Sequence, residues 1–105
     1  MAEGKEKQQR TKKLKVPPEA LEHVWREIAS LGDPALDVEK VGRFCYVSHA
    51  GSPLCRLGYR GELEIWDFAI YRHSRQAYDP DVEIFPLYGK VGECVHKALE
   101  AYNLT

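Results

Sequence analysis

Few side chains in this chain could hold a metal or attack a substrate. There are three cysteines (Cys45, Cys55, Cys94) and four histidines (His23, His49, His73, His96), an inventory that invites a zinc reading. Structural zinc sites draw ligands from tightly spaced pairs such as C-x(2–4)-C or H-x(3–5)-H. The one close pair here is Cys94-x-His96, and helical positions two apart diverge by about 200°. Cys45, His49 and Cys55 can converge beside one hairpin, but the local sequence offers no fourth ligand. Cys45 and Cys55 are therefore expected as small core residues, and neither metal nor other cofactor is expected.

Nucleophilic catalysis needs a nucleophile, a base and an orienting group in contact. Ser48-His49 and His73-Ser74 are sequence neighbours, and strand neighbours point to opposite faces. There is no G-x-S-x-G elbow and no glycine-rich phosphate loop. Asp79, Asp81 and Glu83 gather in one loop, a pattern of solvated loops as well as of divalent-cation sites. No residue is assigned a catalytic role.

Arginine and aromatic residues form the stronger pattern. Residues 41–78 hold five arginines and three acidic residues. Exposed rings beside guanidinium groups can stack bases and contact phosphates, as in sheet-type single-strand binders. Residues 1–15 add six Lys/Arg against two Glu, a net +4, while the rest of the chain holds nine against fourteen, a net −5. A basic arm on an acidic body either contacts phosphate or serves as a solvated tail. The candidate nucleic-acid-binding set is Lys12, Lys13 and Lys15 in the arm with Tyr46, Arg56, Arg60, Tyr71 and Arg72 on the sheet and its ends. DNA or RNA is the expected partner. The alternative is a protein, or a second copy of the chain, burying the same face.

These residues need a scaffold. Residues 1–15 are expected to be disordered, leaving one α+β domain over 16–105. Pro17 and Pro18 suit a first helical turn. Leu21, Val24, Trp25, Ile28 and Leu31 then form one apolar stripe on a helix over 17–31, closed by Gly32 and Pro34. Residues 35–40 connect. Residues 42–48, 54–59 and 64–72 read as three antiparallel strands, with turns over 49–52 and 60–63. The register expected from those turns sets Cys45 opposite Cys55, Leu57 opposite Trp66 and Arg56 opposite Asp67. One face then carries Cys45, Val47, Cys55, Leu57, Trp66, Phe68 and Ile70 as core. The other carries Phe44, Tyr46, Leu54, Arg56, Ile65, Asp67, Ala69 and Tyr71. Residues 74–80 form a polar loop, 82–85 a short edge strand, and 87–90 a turn. Val91, Val95, Ala98, Leu99 and Tyr102 mark a second helix over 90–102. The architecture expected is a two-layer α-β-β-β-(β)-α fold, with an antiparallel meander and both helices on one face.

The size, 105 residues, suits a single core. An apolar fraction of 44% and a charged fraction of 30% are those of an ordinary soluble protein. No apolar run approaches a membrane span, and the charged N-terminus has no signal-peptide h-region, so a cytoplasmic location is expected. Three scattered cysteines make no disulfide framework.

The run PLCRLGYRGELEIWDFAIYRHSRQAYDPDVEIFP, with a later ALEAY, resembles a family of short bacterial proteins that share a G-x(4)-WDFAIY-like core and a Tyr-Asp-Pro loop. The resemblance covers residues 53–102. That family carries no assigned activity and transfers no functional residue. The α-β-β-β-α order is similar to that of double-stranded-RNA-binding domains. Those begin their last helix with a lysine-rich stretch, where this chain has GKVGECVHK with only Lys90 and Lys97. Tyr59-Arg60-Gly61, Trp66 and the terminal Ala101-Tyr102 also resemble plant-type AP2 DNA-binding domains, which read the major groove with Arg and Trp on a three-stranded sheet. Glu62, Glu64 and Asp67 interrupt that basic surface.

Overall fold

A computed structural model of the chain describes residues 14–79 and 88–104. The elements are α1 (Pro18–Ala29), β1 (Leu36–Val41), β2 (Phe44–His49), β3 (Ser52–Gly58), β4 (Trp66–Arg72), β5 (Ala77–Asp79), β6 (Tyr88–Gly89) and α2 (Val91–Ala101). The fold is α+β. The antiparallel strands run β1-β2-β3-β4-β5, with β6 pairing the start of β4. The arm residues before Leu14 and the strand expected over 82–85 lie outside the described residues. Among the described residues no helix is long and apolar enough to cross a membrane.

Both helices pack on one sheet face. Val16, Ala20, Val24 and Ile28 form an i, i+4 row that joins Val91, Cys94, Val95, Ala98 and Leu99 of α2. Beneath them lie Cys45, Val47, Cys55, Leu57, Trp66, Phe68 and Ile70, the core face expected from alternation. Burying each large apolar side chain stabilises by about 1.5–3 kcal/mol. Small Ala20 leads the buried row, which turns α1 so that Trp25 is 40% exposed rather than in the core stripe. Asn103, at φ 57, takes the left-handed position after α2. Its N–H donates to Glu100 and that of Leu104 to Leu99, so the helix ends in a Schellman motif.

The sheet departs from expectation in four places. Residues 36–41 are a full edge strand, not a connection: Leu36 and Val38 turn inward beside His49 and Val47 while Asp37 and Glu39 turn out. Residues 77–79 are a strand, with Tyr71 opposite Tyr78, and Tyr88-Gly89 pairs with Asp67 and Trp66 instead of turning. Cys45 faces Leu57 and Leu57 faces Phe68, each two places from the expected partner. The β3–β4 connection is therefore wider than a tight turn. A slip of two keeps side-chain parity, which is why the core face stands while the cross-strand partners change. Finally, a bulge between Val47 and Ser48 shifts the β2–β3 register, so Leu54 and Cys55 are both buried and Leu54 leaves the outer face. Ala50 and Gly51 close that hairpin with φ 51° and 84°, the paired positive values of a type I′ turn.

Candidate nucleic-acid interface

The sheet face away from the helices is built in cross-strand rows. One row is Phe44, Gly58 and Asp67; the next is Tyr46, Arg56 and Ala69; Tyr71 and Tyr78 follow on β4 and β5. Gly58 and Ala69 are the small members, and between their larger neighbours a groove of about 260 Å³ opens. Arg43, Phe44, Arg56 and Asp67 line it, with Gly58 and Ala69 at its base.

Each guanidinium here has a fixed seat. Arg56 lies over the rings of Phe44, 4.4 Å from the centroid, and of Tyr78, 5.3 Å away. Arg43 lies 4.6 Å over Phe44. It also donates through Nη1 to the Tyr59 carbonyl at 2.9 Å and through Nη2 to Asp67 Oδ2 at 3.3 Å. Arg60, from the β3–β4 connection, brings Nε within 3.8 Å of Asp67 Oδ1 and its guanidinium within 5.4 Å of the Tyr88 ring. The pairing expected between Arg56 and Asp67 does not form, because the register sets Arg56 opposite Ala69 and Gly58 opposite Asp67. Two cations, Arg43 and Arg60, thus pair with one carboxylate, and Arg56 shares the groove with it.

From the groove the rings continue along the sheet. Phe44 meets Tyr46 at 6.1 Å, Tyr46 meets Tyr78 at 5.3 Å, and Tyr78 meets Tyr71 at 5.0 Å. Burial, with Tyr46 beside it, raises the Tyr78 hydroxyl above its ordinary pKa, so it stays a neutral donor. His73 stands edge-on between Tyr71 and Tyr102, and the Tyr102 hydroxyl donates to the Tyr71 carbonyl.

Of the expected residues, Tyr46, Arg56 and Tyr71 share this face and Arg60 joins the groove's rim. Arg72 alternates to the helix-bearing side at the exposed end of β4. Lys12 and Lys13 lie outside the described residues. Lys15 is exposed and precedes Val16, whose N–H donates to the Gly42 carbonyl at 3.1 Å. Gly42 adjoins Arg43, so the basic arm joins the fold beside the groove. Arg43, Phe44, Asp67 and Tyr78 complete the site beyond the expected set. Tyr78 was hidden by the shortness of β5. Arg43 carried a signal, as an arginine beside an aromatic strand start.

The cysteines and His49 go elsewhere. Cys45, Cys55 and Cys94 are free and buried, and burial raises Cys45 to about 11 and Cys94 to about 12. These thiols stay protonated and inert. His49 turns from the cysteines to Asp33, Nε2 to Oδ2 at 2.9 Å. Asp33 Oδ1 accepts the Ala35 N–H, and that bond first, then His49, holds its carboxyl below the ordinary range. His49 and His73 border a second cleft of about 360 Å³, walled by Pro53, Leu54 and Leu104. Among the described residues no group of three or more His, Cys, Asp or Glu could hold a metal ion.

Compared with protein-family models, with curated proteins and with solved structures, the chain matches none of them.

Proposed function

We propose that the protein binds single-stranded nucleic acid along the outer sheet face, without catalysing a reaction. One observation carries this reading: two guanidinium groups, Arg43 and Arg60, pair with one carboxylate, and the ring-seated Arg56 lines the same open groove, at the point where the basic arm joins the fold. The groove is a net +2 patch on a body of net charge −5, so phosphate is drawn to this end. Phe44, Tyr46, Tyr78 and Tyr71 form a chain of neighbouring rings across the outer face, and stacked bases gain about 1–3 kcal/mol each on aromatic rings.

Anisotropy of labelled dT15 and rU15 across 20–300 mM NaCl tests it. The arm's +4 and the groove's +2 give about six neutralised phosphates. With about 0.7 per phosphate for single strands, log affinity should fall with log salt at a slope near −4. Deleting residues 1–15 should flatten the slope to about −1.4, and Arg56→Ala should weaken what remains. No binding at 20 mM NaCl would overturn the reading. If that result came with a dimer in sedimentation that Tyr46→Glu dissociates, the face would instead be a protein interface.

A further inference from the structure

We infer that Asp67 is a built-in stand-in for phosphate, occupying the arginine pair beside the groove and yielding it to a phosphodiester when a strand binds. The inference rests on the single-strand reading and names the anion that this site takes.

Four observations carry it. The two oxygens of Asp67 go to two different guanidinium groups, Oδ2 to Arg43 and Oδ1 to Arg60. Two non-bridging oxygens of a phosphodiester can satisfy the same pair of cations. Second, these ion pairs are wet: side-chain exposure is 33% for Arg43, 43% for Arg60 and 45% for Asp67. Exposed pairs are weak, so exchanging one anion for another costs little. Third, each arginine has a contact besides Asp67. Arg43 remains tied to the Tyr59 carbonyl and stacked on Phe44, and Arg60 lies by Tyr88. Fourth, Gly58 stands opposite Asp67, and a Cβ there would come within 3.1 Å of the Asp67 Cβ and 3.3 Å of Arg43 Nη1. The missing side chain keeps the space beside the ion pairs open.

In a bare electrostatic role Asp67 would only lower affinity by one charge, wherever it stood. In a positioning role it would hold the arginines for the ligand. A stand-in does neither: removing its charge should tighten binding locally. Asp67→Asn keeps the shape, and Glu39→Gln makes the same charge change on the same face, opposite Tyr46 on β2. With full-length protein at 50 mM NaCl, Asp67→Asn should bind labelled dT15 about 3- to 10-fold tighter, with a slope steeper by about 0.7, one more phosphate neutralised. Glu39→Gln should gain less than half of that. Equal gains in the two variants, or unchanged or weaker binding by Asp67→Asn, would overturn the inference. Inorganic phosphate separates a strand phosphate from a free one. If it displaces dT15 no better than chloride at matched ionic strength, the site takes the diester. If dT15 fails to bind either protein while inorganic phosphate still shifts the Arg43 and Arg60 side-chain NMR signals, and more in Asp67→Asn, the strand reading falls and the stand-in survives. Silence in both experiments ends both.

Discussion

Gly58→Ala tests whether the groove's base is as tight as its rows imply. A Cβ on Gly58 would lie 3.1 Å from the Asp67 Cβ, 3.2 Å from Phe44 Cε1 and 3.3 Å from Arg43 Nη1. Carbon pairs are most stable at about 3.5–4.0 Å, so the two carbon contacts are on the repulsive side and the contact to Arg43 Nη1 is also tight. Arg43 can retreat at its flexible end. Asp67 Cβ cannot, because it is fixed to a strand paired directly with Gly58. Overpacking of this kind costs about 1–3 kcal/mol. Against it stands about 0.5–1 kcal/mol, the gain when alanine replaces glycine within a strand. The net expectation is a loss of about 1 kcal/mol, or roughly 4–8 °C in Tm for a domain of this size. Urea denaturation with an unchanged m-value would place the effect in stability rather than compactness. The same methyl intrudes on the groove, so strand affinity should fall in parallel. An alanine variant as stable as the parent would mean that β2, β3 and β4 do not approach as closely as these distances require.

Trp66→Ala should cost about 3–5 kcal/mol, because the ring is fully buried and its Nε1–H donates to the Leu63 carbonyl; a loss under 1 kcal/mol in chemical denaturation would contradict that placement. Asp33 supplies a pH signature. Its carboxyl is held below the ordinary value, so its contribution is full above about pH 4 and is lost as pH falls through the lower folded value. Asp33→Asn should melt below the parent at pH 6, with the gap closing as pH falls below about 4; a gap that does not shrink through acid titration would show that the charge is not what matters.

Alternation made the helix-facing side of the sheet legible, and turn chemistry obscured the pairing. Cys45, Val47, Cys55, Leu57, Trp66, Phe68 and Ile70 alternate strictly, and any register that buries them serves the core equally well from sequence. Which residues sit opposite depends on loop length. A compact turn at Gly61-Glu62 matches the residues present, yet the last β3–β4 pair is Gly58 with Asp67. The consequence fell on the candidate site. A two-place slip moved Asp67 from Arg56 to Gly58 and replaced the expected Arg56 ion pair with pairs to Arg43 and Arg60. β1 was obscured for a different reason: as an edge strand it bears Asp37, Glu39 and Lys40, charges that keep edges from pairing with other chains and that mask the Leu36-x-Val38 alternation. The Leu54 inversion needed a bulge, for which the sequence offered only Pro53.

What distinguishes the two sheet faces is the sizes of their side chains. The helix-facing rows set Cys45 beside Leu57 and Phe68, and Val47 beside Cys55 and Ile70, mixing small and large members that the helices can fill. The outer rows place Gly58 and Ala69 at neighbouring positions, on β3 and β4, with no helix above them. The gap is bordered instead by long side chains whose charged ends meet water. Asp37 and Glu39 turn out from β1, while Arg43, Arg56 and Arg60 lie toward the meeting of the β1–β2 turn and the β3–β4 connection, where Asp67 pairs two of them and Glu62 and Glu64 follow Arg60 in sequence. On the proposed reading a polyanion would be repelled by Asp37 and Glu39 at the β1 edge and drawn to the arginines near the corner where Val16 is bonded to Gly42. Its path would then run along Phe44, Tyr46, Tyr78 and Tyr71, from the arginine-bearing corner toward the rings beyond it.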